Sequence, residues 1–130
     1  MGTEQRVYSV AWHSGKNVLI SGHEDCSVRL WDPRVESGPQ QSWMAHQDVV
    51  TSVAVQEDGA SVFASASHDG NVRLWSMEQR SCVQELGGQH RFKNDESVHC
   101  VAFHQTGMPL MASCGADGVG KVYETLSARV

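Results

Sequence analysis

Much of the sequence's information lies in what it lacks. Ten lysines and arginines stand against fifteen aspartates and glutamates, and the formal charge is −5. The basic residues form no run. A nucleic-acid surface, which rests on neutralising phosphates, is therefore not expected. No apolar stretch approaches the ~20 residues that a membrane helix needs. The opening MGTEQRVYSVAWH lacks the charged-then-apolar layout of a secretory signal, and Arg6 stands where myristoylation wants Ser or Thr. Cys26, Cys82, Cys100 and Cys114 are scattered without a CxxC pair, which reads as buried, reduced thiols of a cytoplasmic protein rather than a disulfide or metal framework. No glycine-rich phosphate loop occurs, since Gly59, Gly70, Gly107 and Gly118 sit as turn residues. No cofactor is expected. Neither a heptad run nor a basic amphipathic helix can be drawn.

What the chain does have is repetition. Residues 45–75, AHQDVVTSVAVQEDGASVFASASHDGNVRLW, form a unit with one similar unit before it and one after. Within it, three strand-like segments are broken at Glu57-Asp58-Gly59 and at His68-Asp69-Gly70. Val72 and Leu74 alternate with Arg73 and Trp75, the period of a pleated strand. The first unit reads as RVYSVAW, NVLIS and SVRLW, with a weaker fourth strand at Gln41–Met44. Pro33 and Pro39 exclude a central strand from the loop between them. The second unit reads as VTSVAV, SVFASAS, NVRLW and CVQEL. The third has VHCVAF, PLMASC and KVYE, with turns at Thr106-Gly107 and Asp117-Gly118 and no obvious fourth strand.

The period can be counted. Trp31 to Trp75 is 75 − 31 = 44 residues, and Trp75 to Tyr123 is 123 − 75 = 48. Asp25, Asp69 and Asp117 repeat the same steps, and the four extra residues fall in the His90–Ser97 loop. A period near 44 with short strands resembles the WD-repeat blade. The fold expected is all-β, a partial WD-repeat propeller of about three antiparallel four-stranded blades, the last lacking its outer strand. The blades span residues 6–44, 45–88 and 89–124, with a tail at 125–130.

Certain polar residues recur with the repeat. They are His46, Ser65, Asp69 and Trp75 in the second unit, His90, Ser113, Asp117 and Tyr123 in the third, and Ser21, Asp25 and Trp31 in the first. A Ser, a His and an Asp suggest hydrolysis, but a chain does not need one catalytic triad per repeat. No glycine-flanked nucleophile elbow is present either. The expectation is a structural network in which Asp accepts from the His ring, the ring meets Ser, and Ser accepts from the indole. His90, His99 and His104 invite a metal reading, but strand alternation puts His99 and His104 on opposite faces, and no metal site is expected. Arg29, Arg73 and Lys121 share one strand position and read as blade-edge charges.

The third unit carries a narrower resemblance. CVQELGGQHRFKNDESVHCVAFHQTG followed by ASCGADGVGKVYE is similar to the final blade of the striatin family. ISGHEDCSVRLWD and MAHQDVVTSVAV resemble the two blades before it. The resemblance implies a non-catalytic scaffold that brings protein phosphatase 2A together with kinases and adaptors. It also implies a phosphatase-binding coiled coil and a calmodulin-binding segment, neither of which occurs in this sequence. Another WD-repeat adaptor, such as a ubiquitin-ligase substrate receptor, and a propeller-fold hydrolase are the alternatives.

Partner contacts are expected on the loops at one end of the blades, at Glu24, Asp48, His68, Arg91, Phe92, Lys93 and Asp95, because contacts concentrate on loops held by a rigid scaffold. Both ends of the repeat array look cut, with no His before RVYSVAW and no strand after KVYE. The remaining expected partner is thus the rest of its own propeller, without which the chain should self-associate or unfold at low temperature with poor cooperativity.

Overall fold

The computed structural model describes residues 6–13, 18–34, 38–39, 41–56, 62–77, 81–87, 98–103, 110–115 and 120–124. The expected turns at 14–15, 57–59, 106–107 and 117–118 lie outside them.

All regular structure among these residues is strand: β1 Val7–His13, β2 Val18–His23, β3 Ser27–Trp31, β4 Gln41–Met44, β5 Val50–Val55, β6 Val62–Ser67, β7 Asn71–Ser76, β8 Ser81–Gly87, β9 Val98–Phe103, β10 Leu110–Gly115 and β11 Gly120–Glu124. They form three antiparallel meanders, β1-β2-β3-β4, β5-β6-β7-β8 and, among the described residues, the three-stranded β9-β10-β11. β1 packs beside β5, and β5 beside β9, so the first strands of successive blades line one side of the array.

Each first strand carries a bulge. Pairing skips Tyr8 between Val7 and Ser9, Thr51 between Val50 and Ser52, and His99 between Val98 and Cys100. An unpaired extra residue re-aims the side chains that follow it and sharpens the local twist. Because Val7 pairs with His23 and Val50 with Ser67, β1 and β5 are offset by 50 − 7 = 43, but β2 and β6 by 67 − 23 = 44. The difference is taken up between the first and second strands.

Pleating gives every blade two faces of different character. The face toward the next blade is small and apolar, with Ala11, Ile20 and Gly22 on blade one and Ala54, Ala64 and Ala66 on blade two. The face toward the preceding blade is bulkier, with Val53, Phe63 and Trp75 on blade two and Val101, Phe103 and Met111 on blade three. Two cores result, one per seam. Ile20, Val28 and Trp43 of blade one pack on Val53, Phe63 and Trp75. Ala64, Val72 and Leu74 of blade two pack on Val98, Val101 and Met111. Each fully buried large aliphatic side chain there contributes roughly 1.5–3 kcal/mol. Trp43 reaches across the first seam to rings 5.8 Å away at Phe63 and 6.2 Å away at Trp75.

Polar bonds repeat at the seams too. Ser9 Oγ accepts the Val53 amide at 3.1 Å, and Ser52 Oγ accepts the Val101 amide at 3.3 Å. Thr51 Oγ1 donates to the Val98 carbonyl at 2.6 Å.

Two expectations need correction. The four cysteines are free as expected, but Cys82, Cys100 and Cys114 are exposed and Cys26 is half-buried. Cys114 lies on the small-residue face of blade three, and the Cys100 thiol stands 3.8 Å from Ser52 Oγ. Arg29 and Arg73 are not edge charges either, for their strands are flanked on both sides. Arg29 Nη2 donates to Asp25 Oδ2 at 2.8 Å, and Arg73 Nη1 to the Ala45 carbonyl at 2.6 Å. Each guanidinium turns to an acceptor at the turn end of its blade.

Candidate functional site: a turn face above buried polar networks

The turns between second and third strands, and the segment leading into β5, emerge at one end of the blades. In blade two this end is fixed from beneath. Asp69 Oδ2 lies 3.0 Å from His46 Nδ1, and His46 Nε2 lies 2.6 Å from Ser65 Oγ. Trp75 Nε1 donates to the same Ser65 oxygen at 2.9 Å. Burial alone would push the Asp69 carboxyl up. The His46 ring and the amides of Gln47 and Asn71 outweigh it and hold Asp69 at about 2. Ionised Asp69 only accepts, so Nδ1 carries the ring proton, and Nε2 is left to accept from the Ser65 hydroxyl. The four groups form one directed chain from indole to carboxylate.

Asp, His and Ser in this order have the connectivity of a catalytic triad, and the surroundings give it another use. Ser65 has no exposed surface, and its oxygen accepts the indole N–H. A nucleophile must reach a substrate, and this one is sealed inside the first seam.

Blade three retains part of the arrangement, with Ser113 Oγ 2.9 Å from the Tyr123 hydroxyl. His90 and Asp117 lie outside the described residues.

Blade one departs from the expected pattern. Trp31 Nε1 donates to Ser21 Oγ at 2.7 Å, but Asp25 does not join them. Asp25 accepts instead from the Ser27 amide and hydroxyl and from Arg29. No described residue presents an imidazole to this carboxylate, and the adjacent serine and arginine satisfy it. Burial opposes ionisation, yet the Ser27 and Arg29 bonds hold Asp25 below the usual range. The imidazole on Ser21 comes from His23, whose Nε2 lies 2.6 Å from Ser21 Oγ. His23 is buried, and its Nδ1 meets no acceptor. Burial, aided by Arg29, lowers its pKa and favours the neutral ring. His23 stands two residues after Ser21, so strand alternation alone puts both on one face.

Of the expected contact residues, Arg91, Phe92, Lys93 and Asp95 lie outside the described residues. Glu24 is half-buried, 3.7 Å from Arg6 across the mouth of blade one. Asp48 is exposed, and its Oδ1 accepts the Val49 amide at 2.7 Å. His68 is exposed beside it, because its amide bonds the Val49 carbonyl at 3.1 Å. His99, exposed at the bulge of β9, adds a residue not anticipated from the sequence, with its ring 6.0 Å from that of His68. The Cys26 carbonyl accepts the amides of Ala45 and His46, tying the blade-one turn to the segment that carries Asp48. Burial and the carboxylates of Asp48, Asp25 and Asp69 push the Cys26 thiol up.

Residues 1–32, 37–76 and 80–124 match the family described as WD domain, G-beta repeat. The chain belongs to the WD40-repeat proteins. It is 40% identical to human Striatin-4 over 118 residues, 91% of this chain, and 38% identical to human Striatin-3 over 122 residues, 93% of this chain. Human Striatin is 37% identical over 118 residues. The chain spans about 15% of the length of these curated relatives. Among solved structures, U3-55K superposes with a TM-score of 0.81 at 18% identity, covering 95% of this chain and 37% of that one. The WD40 repeats of RRP9 give 0.80 at 19% identity with the same coverage. These structures speak for the WD40 propeller fold alone. Of the histidines that invited a metal reading, His90 and His104 lie outside the described residues, among which no group of three His, Cys, Asp or Glu side chains is placed to hold a metal ion.

Proposed function

We propose that this WD40 array is a non-catalytic protein-binding platform of a cytoplasmic signalling scaffold, of the kind the striatin resemblance implies. The observation that carries the reading is the pairing of two features at one end of the blades. Exposed Asp48, His68 and His99 stand there with half-buried Glu24, and the chain beneath them is fixed by the buried His46–Ser65–Asp69–Trp75 network. Pre-ordered loops bind without the entropy cost of ordering them on contact. The similarity to three striatins over about nine-tenths of the chain supports complexes of protein phosphatase 2A with kinases as the partner class. The buried position of Ser65 supports the non-catalytic part.

Charge reversal at Glu24 and Asp48, with Lys93 as a third site, tests the proposal by co-precipitation of phosphatase and kinase subunits. The expected result is several-fold lower capture at an unchanged melting temperature. Undiminished capture by the triple variant would sink the assignment.

A further inference from the structure

Blades one and two each seat an imidazole on a serine that also holds an indole, but the two imidazoles differ in what stands behind them. Ser21 and Ser65 hold the same register position, paired with Arg29 and Arg73. In blade two His46 bridges Ser65 and the carboxylate of Asp69. In blade one His23 Nε2 lies 2.6 Å from Ser21 Oγ, and its Nδ1 is buried with no partner. The residue is 1% exposed, so the ring is closed off from solvent and from any neighbour outside the chain. Asp25, the counterpart of Asp69, is engaged elsewhere. Its Oδ1 accepts the Ser27 amide at 3.1 Å, and its Oδ2 accepts from Arg29 at 2.8 Å.

These bonds hold the blade-one turn, and the turn holds its neighbour. The Cys26 amide donates to the His23 carbonyl at 3.3 Å, and the Cys26 carbonyl accepts the Ala45 amide at 3.1 Å. The Glu24 amide donates to the Arg6 carbonyl at 2.9 Å. Glu24 and the segment that carries Asp48 thus both depend on the conformation of residues 23–26.

We infer that His23 is a proton-operated latch on this turn, keeping Glu24 and the Asp48 segment ordered while its ring is neutral and releasing them when the ring is charged. The consequence for binding rests on the reading of this end as the binding face; the latch itself does not. A charged imidazole donates from both nitrogens. Nε2 can donate to Ser21, but the Nδ1 proton would be buried without an acceptor, which folded proteins avoid. Two charged groups act on the ring: Arg29 on β3 opposes the proton, and Asp25 in the turn favours it. Arg6 and Glu24 face each other at 3.7 Å, and Asp48 and Asp69 act on the Cys26 thiol. The strands beside this end of β2 bring apolar groups, Val7 opposite His23 and, against Gly22, Val50 and Val53 of β5. Accommodating the proton therefore requires Asp25 to leave Ser27 and Arg29 for Nδ1, as Asp69 serves His46, or the ring to swing outward. Either movement undoes the turn at Cys26 and frees the Ala45 amide. Histidine changes charge between about pH 5 and 8, so mild acidification is the trigger.

Amide hydrogen exchange of the full chain, read residue by residue by NMR, tests the latch without any partner. Asn71, whose amide Asp69 holds in blade two, is the internal reference. Between about pH 7 and pH 5.5, after correction for intrinsic rates, protection of Ser27 and Ala45 should fall about threefold or more further than that of Asn71. In His23→Gln, which takes no proton and whose fold circular dichroism verifies, the three amides should keep their relative protection. Equal changes at all three in the wild-type chain, or the same divergence in His23→Gln, overturn the latch. Capture of phosphatase and kinase subunits is the second arm. It should be several-fold weaker at about pH 6 than at pH 7.4 for the wild type, and equal at both for His23→Gln. Capture absent at both values overturns the binding reading and not the latch. Equal wild-type capture at both overturns the latch as a control on binding.

Discussion

Asp69 and His46, 23 residues apart in sequence, meet at 3.0 Å, and the same carboxylate oxygen accepts the amide of Gln47. One side chain thus closes the turn between β6 and β7 onto the segment entering β5. Replacing Asp69 with Ala removes the acceptor for a buried imidazole and for the amides of Gln47 and Asn71. A loss of about 1–3 kcal/mol is expected in urea denaturation. Loss of binding or activity at unchanged stability would contradict the structural role.

The same carboxylate sets an acid limit. Its pKa falls from 3.8 to about 2 on folding, so the folded state favours the ionised form. Its contribution, roughly 2 kcal/mol, is complete above about pH 4 and is lost as pH falls toward 2. Comparing denaturation midpoints of wild type and Asp69→Asn from pH 7 to pH 3 should show two curves that converge on the acid side.

His23 acts in a higher window. Its folded pKa lies below the ordinary 6.5, so below that pH the unfolded chain binds a proton that the folded chain resists. Stability should therefore decline as pH drops through 6.5, and His23→Gln should flatten this part of the profile. Identical slopes between pH 7 and pH 5.5 would remove His23 from the account.

At Gly22 the backbone of blade one comes close to Val50 across the first seam. A Cβ there would lie 2.6 Å from Val50 Cγ1. Gly22→Ala should cost about 1–3 kcal/mol by overpacking. Val50→Ala in the same chain should recover part of that loss, and a double-mutant cycle measures the coupling.

Cys26 occupies the left-handed region at φ 73°, where the equivalent turn of blade two has Gly70 at φ 87°. A non-glycine residue there is strained. Cys26→Gly should relieve the strain and raise stability by about 1 kcal/mol, read from the melting temperature.

The repeat was legible in the sequence because its signals are local: alternation within strands, turn residues between them, and one aromatic per third strand. Among the described residues the serine–aromatic pair recurs in all three blades, and the full chain through His and Asp is seen around Ser65. Asp25 occupies the place of Asp69, but no described residue presents an imidazole to it, and two neighbours, Ser27 and Arg29, satisfy it instead. Arg29 and Arg73 looked like edge residues because strand order is not written in either strand. The cysteines looked buried because thiols usually are. Which face of blade three is covered depends on what stands beside it, a fact outside any single repeat.

The serine bridges separate two kinds of motion. Val53 and Val101 give their amides to a hydroxyl on the neighbouring blade. A blade could therefore part from its neighbour with its own ladder of backbone bonds intact, releasing these amides to solvent. In hydrogen exchange, Val53 and Val101 should lose protection before the amides around them, and Ser9→Ala should hasten Val53 alone. The array then behaves as hinged leaves, and two backbone positions report how often each hinge opens.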